Sequence, residues 1–463
     1  MTRFTRGRSA PARTRWCTCV FSALALAVVV SASASAQDVP PDLPLGGSAP
    51  QPLDAPDAPP PDDAVRPPVV AKPEPRHLNL NLSLFDAYDL ASVKYAIPQL
   101  GDPRLEQNTS FTGVTAGLNY TQVGHDKAFN AATGADLRYY SILPELLPVD
   151  YFGGFNFTTT VSRHVAIHGS ATGSYSPYYS FGNFLTPVSE AQIPTPQPDQ
   201  DIARIDTLTA SGGGGLSWSL TRYTWIDLNG SADYTDTPIA AYRLHGESAG
   251  AALRHRTTKY SELHLGYTYR TSNSGFSAIG AFVAHDIDVG FGYHRPLSFS
   301  RRTVVGFNVG SSVVAQAGTR SIFVTGDASL SYQLSRTWLA AIYGHRDVST
   351  FGGSFVPYAS NVVSGTIAGL FTRHVSFDAT AAYSHGSAAV AVSNGYDAVT
   401  GATSLHFTLT RYLPVYAQYV YYFYRFDQTI GLAPVFPVTT NRSGVRAGLS
   451  YSLPLVGQRV PRS

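Results

Sequence analysis

Alternation of apolar and polar residues dominates this chain from residue 77 onward. Residues 78–84 read Leu-Asn-Leu-Asn-Leu-Ser-Leu, which places four leucines on one face of an extended segment. This period of two is that of a β-strand, and a helix would not separate these residues in that way. Similar runs predict about 18 strands, within a range of 16 to 20. They begin near residues 77, 109, 128, 151, 165, 206, 225, 242, 260, 281, 303, 321, 338, 359, 375, 400, 413 and 438.

The charge content narrows the class of protein. Charged residues make up 14% of the chain, against roughly 25% in soluble domains. No stretch after residue 36 reaches the roughly 18 consecutive apolar residues of a membrane-spanning helix. Strands that present only every second residue to lipid satisfy both observations. We therefore expect an all-β fold, a transmembrane antiparallel up-and-down β-barrel.

Residues 1–36 are typical of a secretory signal peptide. Five arginines precede an apolar run over residues 20–30, and Ala34-Ser35-Ala36 offers a cleavage site. A short transmembrane anchor is the alternative, but such an anchor needs about 20 apolar residues. Removal of this segment leaves 28 basic against 31 acidic residues, so no basic footprint for nucleic acid remains. Cys17 and Cys19 leave with it, which excludes disulfides and thiolate chemistry from the mature chain.

Residues 37–76 are rich in proline and predict a disordered periplasmic linker. The alternative is a docking strip for a periplasmic partner. The alternating strands then occupy residues 77–455, and residues 456–463 form a C-terminal tail. We therefore expect export by the Sec route and insertion of the barrel into the outer membrane of a bacterium.

A recurring Ser/Thr-Arg pair marks the junctions between strands. Each copy lies between two alternating runs, which predicts tight periplasmic turns with longer loops at the opposite end. A soluble β-repeat with coincidental turn residues is the alternative, but propeller blades would repeat four strands rather than two. The predicted turn arginines are Arg163, Arg222, Arg301, Arg336, Arg373 and Arg411.

The polar faces of the strands carry most of the charged residues. Because a carboxylate in lipid is costly, these faces are expected to line a lumen. About 18 strands enclose an aqueous channel, whereas a dry polar core suits a narrower barrel. The row leans acidic and has no lysine ladder, which argues against a phosphate-selective pore. The predicted lumen-lining residues are Asp136, Arg138, Asp227, Asp233, Glu262, Arg270, Asp286, Asp288, Asp327, Asp378, Tyr416, Tyr422, Tyr424, Arg442 and Arg446.

Two features suggest how solutes are handled. Tyr416, Tyr422 and Tyr424 would offer flat rings for sugars, although a tyrosine girdle with interior packing is the favoured alternative. The longest connection, residues 181–205, is a candidate constriction loop because loops of this length are commonly functional. Folding outward over the mouth is equally compatible. Its charged residues are Glu190, Asp199, Asp201 and Arg204.

Catalytic chemistry is not expected. His168 and Ser170 lie on one face of a predicted strand, but no carboxylate completes a triad in sequence. The chain has no metal-binding, phosphate-binding or calcium-loop motif. Asp199 and Asp201 resemble solvated loop acids more than a cation site. We expect neither an enzyme nor a cofactor.

The layout of signal, short Pro-rich segment and separate barrel resembles the outer-membrane porins of exopolysaccharide export. It is also similar to the barrel of poly-N-acetylglucosamine porins, without the helical repeat domain that precedes it there. The resemblance implies a passive conduit for polysaccharide or other hydrophilic solutes. A non-transporting adhesin or scaffold and a barrel enzyme are the alternatives. Expected partners are outer-membrane lipid, lipopolysaccharide, the barrel-assembly machinery and a periplasmic polysaccharide-export protein, with no nucleic acid.

Overall fold

The computed structural model of the chain describes a set of strands and their shorter connections. Residues 1–75 and 457–463, which include the predicted signal peptide and most of the predicted linker and tail, lie outside the described residues, as do Glu190, Asp199, Arg204 and Arg411. The described residues are 76–95, 108–141, 149–177, 179–180, 201–203, 206–237, 242–274, 282–297, 300–316, 319–349, 357–389, 394–410, 412–427 and 437–456.

Within these residues the chain forms 20 β-strands. No helix in the described part of the chain is long and apolar enough to cross a membrane. The strands are β1 (Arg76–Tyr95), β2 (Thr109–Val123), β3 (Lys127–Tyr140), β4 (Val149–Ser162), β5 (Val165–Ser176), β6 (Tyr179–Ser180), β7 (Asp201–Ala203), β8 (Thr207–Ser219), β9 (Thr224–Thr237), β10 (Tyr242–Thr258), β11 (Ser261–Ser274), β12 (Phe282–Leu297), β13 (Ser300–Gln316), β14 (Thr319–Gln333), β15 (Trp338–Ser349), β16 (Tyr358–Thr372), β17 (Val375–Ala388), β18 (Gly395–Thr410), β19 (Leu413–Phe426) and β20 (Pro437–Val456).

Eighteen of these strands close into one antiparallel barrel, and β6 pairs with β7 in a separate small sheet. Each barrel strand pairs with its neighbours along the chain, and β1 closes the ring by pairing with both β2 and β20. The all-β, up-and-down barrel predicted from alternation is therefore confirmed. The largest difference in a strand start is at β18, which begins at Gly395 rather than near residue 400.

The two ends of the barrel differ in the length of their connections. We call the end with short connections, such as those between β4 and β5 and between β8 and β9, the turn rim. The opposite end, which includes the connection from β5 to β8, is the loop rim. Strand β1 begins and strand β20 ends at the turn rim, where Leu78 of β1 pairs with Val456 of β20. This asymmetry is typical of outer-membrane barrels.

The Ser/Thr-Arg pairs owe their recurrence to a local hydrogen bond. In four turns the Ser or Thr hydroxyl accepts the backbone N–H two residues later, which stabilises a tight turn. Thr221 Oγ1 accepts from Tyr223 at 3.2 Å and also from Thr224 at 3.1 Å. The other three hydroxyls are those of Ser162, Ser335 and Thr372. Arg163, Arg222, Arg336 and Arg373 are the residues between donor and acceptor.

One predicted turn arginine is placed differently. Strand β13 begins at Ser300, which pairs with Leu297, so Arg301 lies inside the strand rather than in the turn. The prediction for Arg301 was therefore wrong. The hydroxyl-before-arginine pattern alone does not distinguish a turn from the first residues of a strand, because polar residues are common in both.

The side chains of the barrel alternate between an apolar outer face and a polar inner face. On β11, Leu263, Leu265, Tyr267 and Tyr269 are exposed on the outside. His264, between two of these leucines, is buried and contacts Asp288 on the inside. The outer face continues across strands, because Leu265 pairs with Leu253 of β10 and Val289 of β12. An apolar band therefore surrounds this part of the barrel.

The pairing between β14 and β15 ends at a glycine. Gly326 pairs with Arg346, and residues 319–325 beyond it pair with β13 but not with β15. Gly326 has a φ of 156°, and a Cβ there would lie 2.5 Å from the carbonyl oxygen of Asn308. The loop-rim end of β15 turns inward at this level. Its Val348 is buried in an apolar cluster with Val314 of β13 and Phe282 of β12.

Replacing Gly326 by alanine is expected to destabilise the barrel. The φ of this residue is unfavourable for any L side chain, and a left-handed or otherwise strained backbone costs on the order of 1–3 kcal/mol. Urea unfolding of the refolded barrel measures the change. Gly344→Ala is the matched control, since its added methyl meets only the Ala328 carbonyl at 3.9 Å. Equal midpoints for both variants would contradict the strain at Gly326.

Candidate pore lining

The inner wall of the barrel contains all of the residues that alternation assigned to a lumen. Asp288, for example, lies between Ile287 and Val289, which are exposed on the outer face. The same alternation applies to the charged residues of β3, β9, β14, β17 and β20. Whether these residues contact a passing solute stays a prediction. The wall divides into a buried sector and an accessible sector, which differ in what they can do chemically.

The first buried group joins β3 and β4. Arg138 Nε lies 2.8 Å from Asp136 Oδ2, and Arg138 Nη2 lies 3.1 Å from Asp150 Oδ2. Thr115 donates to Asp136 at 2.8 Å and Ser176 donates to Asp150 at 2.9 Å. Asp136 and Arg138 are almost completely buried. This cluster of one cation and two acids locks four neighbouring strands together on the inside.

A second group crosses the barrel interior. Arg270 of β11 donates from Nε and Nη2 to the two carboxylate oxygens of Asp286, at 2.5 and 3.1 Å. The Ser312 hydroxyl also donates to Asp286. Arg270 Nη2 lies 3.9 Å from Asp347 Oδ1 of β15, four strands away along the ring. This contact requires the inward turn of β15, which narrows the interior at the loop rim.

The third group lies where β1 meets β20. Arg442 forms an ion pair with Asp89, and both side chains are nearly buried. The guanidinium of Arg446 lies over the Phe85 ring, 4.1 Å from its centroid, which is a favourable cation–π distance. These two predicted lumen arginines therefore contact the wall of the barrel itself.

The tyrosines of β19 are packed rather than presented. Tyr422 and Tyr424 face inward but are 4% and 2% exposed. Thr440 donates its hydroxyl hydrogen to Tyr424 at 2.8 Å, and Tyr416 packs against the apolar cluster around Phe85. Stacking on a sugar requires an open ring face. Interior packing, the alternative stated from the sequence, describes Tyr422 and Tyr424 better.

The accessible sector runs along β9, β10 and β11. Arg254 Nε lies 3.0 Å from Asp227 Oδ2, and Arg254 Nη1 lies 3.3 Å from Glu262 Oε1. The Arg254 side chain is 46% exposed. Asn229 and Asp233, further along the same face of β9, are also exposed. Polar side chains that water can reach are what a hydrated conduit requires.

The accessible sector continues onto β12. Asp288 is 43% exposed at its side chain and accepts a hydrogen bond from the nearly buried His264, 3.0 Å away. Further along the ring, on β17, the mostly buried Asp378 lies 3.5 Å from the Nε2 of His406. Acids outnumber arginines among the described residues of the accessible wall: Asp227, Asp233, Glu262 and Asp288 stand against Arg254 and Arg256.

Several residues of these groups were not identified from the sequence. They are Asp89, Asp150, Arg254, His264 and Asp347. Each lies at an inward position of its strand, so strict alternation would have found Arg254 and His264. Asp150 and Asp347 lie within two residues of a strand end, where alternation gives a weak signal, and Asp89 lies beyond the strict Leu/Asn alternation of residues 78–84 in β1.

The candidate constriction loop is described only where it forms β6 and β7. Tyr179 pairs with Ala203 and Ser180 with Asp201. β7 lies against β20, which is separated along the ring from β5 by β1, β2, β3 and β4. This connection therefore reaches across the loop rim to another part of the wall. A role for Glu190, Asp199, Asp201 and Arg204 in narrowing the channel stays a prediction.

The histidine and serine considered as catalytic candidates from the sequence lie on the barrel wall. His168 and Ser170 lie on the inner side of β5, opposite Gly215 and Gly213 of β8. In the part of the chain that the structure describes, no three residues among His, Cys, Asp and Glu are grouped so as to hold a metal ion.

The outer face determines where the barrel resides. Large apolar side chains are exposed all around it, among them Leu265, Val289, Ile322, Ile342 and Val363. In the closed ring each barrel strand pairs with a neighbour on both sides, so the backbone N–H and C=O groups of paired residues hydrogen-bond to one another. Among spanning structures without helices, only a closed barrel satisfies its backbone in lipid, and bacterial outer membranes contain such barrels. The chain is an integral protein of the bacterial outer membrane.

Comparison with known proteins finds likeness in solved structures. No protein-family model and no curated protein sequence matches the chain. Pseudomonas aeruginosa OpdQ is 10% identical with a TM-score of 0.43, and the match covers 82% of this chain and 98% of that one. P. aeruginosa OccK2 (OpdF), solved in complex with glucuronate, is 12% identical with a TM-score of 0.42 and the same coverage. At this identity and TM-score nothing about the substrate of the chain follows from these structures.

Proposed function

We propose that the chain is a pore of the outer membrane that conducts small hydrophilic solutes. The observation that carries this proposal is the accessible, charged sector of the inner wall on β9–β12. Exposed polar groups inside a wide barrel keep water in the interior, and a hydrated path lowers the cost of moving a polar solute across lipid.

The same sector gives the pore a preference for cations. Four carboxylates and two guanidinium groups, those of Arg254 and Arg256, lie on the accessible wall. Among the described residues, the carboxylates of Asp233 and Asp288 form no ion pair with an arginine or lysine. Rings of Asp and Glu attract cations and repel anions in channels of this kind. Passage is passive, with the solute exchanging part of its water for these side chains.

A second candidate is a barrel that does not transport. Buried inner-wall residues near the loop rim favour it: Ser384 and Tyr358 are 0% exposed and Ser312 is 1% exposed. An interior packed in this way would suit an adhesin or an envelope scaffold. Export of polysaccharide, the narrower hypothesis from the sequence, has less support, since the tyrosines expected to stack on sugars are packed into the wall.

Conductance in planar bilayers tests the pore and its charge preference together. We expect the refolded chain to give discrete channels whose reversal potential in a KCl gradient shows cation preference. Neutralising both exposed acids in Asp233→Asn/Asp288→Asn should reduce the cation-to-anion permeability ratio roughly two- to fivefold, since two of the four acids are lost.

The matched control is Asp86→Asn. Asp86 is an acid of the outer face, where it accepts a hydrogen bond from Thr112 at 3.0 Å, so its loss should leave the reversal potential unchanged. Absence of channels in correctly folded protein would favour the scaffold. Channels whose cation preference is unchanged in Asp233→Asn/Asp288→Asn would support the pore but refute the proposed role of these two acids.

A further inference from the structure

A continuous row of polar side chains crosses the outer face of β15–β19. The five residues, here called the outer polar row, are directly paired across adjacent strands: Arg346 with Asn361, Asn361 with His385, His385 with Asp397, and Asp397 with Arg425. Polar residues on the lipid-facing side of a barrel are costly, so a row of five needs a physical explanation.

The contacts within the row orient its donors outward. Asp397 accepts from His385 Nδ1 at 2.9 Å, from Arg425 Nη2 at 3.2 Å and from Tyr383 at 3.0 Å. These bonds occupy both oxygens of the row's one carboxylate. Arg346 Nη1 donates to Asn361 at 3.2 Å. The row therefore presents a guanidinium at each end, and the side chains of Arg425 and His385 are more than half exposed.

The position of the row places it at the boundary of the membrane. Every member lies within three residues of the loop-rim end of its strand, as Arg346 does in β15, which ends at Ser349. Toward the turn rim, the next outward-facing residues on β16 and β17 are the exposed Val363 and Tyr383. On β15 the exposed Ile342 lies one outward-facing position further from the row. The row thus borders the apolar band on the side of the long loops, which face the cell exterior in such barrels.

We propose that the outer polar row binds the phosphate groups of lipopolysaccharide in the outer leaflet. A guanidinium offers parallel N–H donors that match phosphate oxygens and form charge-assisted hydrogen bonds. Arg346 and Arg425 are four strands apart, about 19 Å at about 4.8 Å per strand, so they reach separate phosphate groups. The proposal rests on residence in the outer membrane and is independent of whether the barrel conducts.

The test measures binding of fluorescently labelled lipopolysaccharide to the refolded full chain in detergent micelles. Arg346→Ala/Arg425→Ala is expected to raise the dissociation constant roughly tenfold to hundredfold, since each arginine contributes charge-assisted bonds. Arg222→Ala is the matched control, because Arg222 is an exposed arginine of the opposite, turn rim, where it stacks on Tyr223 at 4.5 Å. Arg222→Ala should bind lipopolysaccharide as tightly as the unmodified chain.

Four outcomes would overturn the proposal. The first two are unchanged lipopolysaccharide binding in the double variant and an equal loss of binding in Arg222→Ala. The third is displacement of the lipid by millimolar inorganic phosphate, which would indicate a site for free anions. The fourth is a change in oligomeric state, which would indicate that a second copy covers the row. Channel conductance is recorded for the same variants. Weaker lipid binding with normal conductance supports the proposed lipid site, whereas lost conductance with unchanged lipid binding overturns it.

Discussion

Replacing Leu265 by arginine is expected to prevent stable insertion of the barrel into lipid. Leu265 is 55% exposed on the outer face and is flanked by Leu253 and Val289 on the neighbouring strands. An arginine on the lipid side of a barrel costs about 2–4 kcal/mol at the midplane, and the neighbouring apolar residues offer it no partner. Folding into lipid vesicles, followed by the electrophoretic shift between folded and unfolded chain, measures the effect.

The informative control is Asn229→Arg. Asn229 lies on the exposed inner wall of β9, where water can hydrate an added guanidinium. This variant should fold into vesicles like the unmodified chain and shift the selectivity of the pore toward anions. If Leu265→Arg folded normally while Asn229→Arg failed, the assignment of inner and outer faces would be reversed.

Much of the fold could be predicted because the signal is local. A residue in a strand faces one of two sides, and the two sides of this barrel meet media of opposite polarity. Alternation therefore indicated both the strands and their faces, as in β11, where Glu262 and Arg270 face inward and Leu265 faces outward. The turns were visible for a similar reason, since Thr221 satisfies backbone groups only two and three residues away.

The arrangement of the site could be predicted less well because it depends on contacts between distant strands. Sequence patterns placed Arg270 and Asp286 on inner faces. They did not indicate that Asp347 approaches Arg270 from four strands away, because this contact follows from the end of pairing at Gly326. Burial of Tyr422 and Tyr424 is likewise a consequence of how the interior is filled. The outer polar row was missed because its members belong to five different strands.

Replacing Arg138 by methionine is expected to cause the largest loss of stability in the inner wall. The guanidinium bridges Asp136 and Asp150, and its own side chain is 6% exposed. Methionine fills similar space but leaves two carboxylates facing each other without their cation. Removing one partner of a buried ion pair costs about 3–5 kcal/mol, far more than the pair contributes in net terms. Urea unfolding of the refolded barrel in vesicles, followed by tryptophan fluorescence, measures the loss.

Two further variants separate the charge effect from simple loss of packing. Arg138→Lys keeps the charge but replaces a planar fork with a single ammonium group, so it should lie between the unmodified chain and Arg138→Met. Asp136→Asn/Arg138→Met/Asp150→Asn removes all three charges and should recover most of the lost stability, because a neutral buried cluster carries no uncompensated charge. If the triple variant were as unstable as Arg138→Met, the cluster would act through the shape of its side chains. Recovery would show that Arg138 is retained to neutralise the two acids that hold β3 and β4 together.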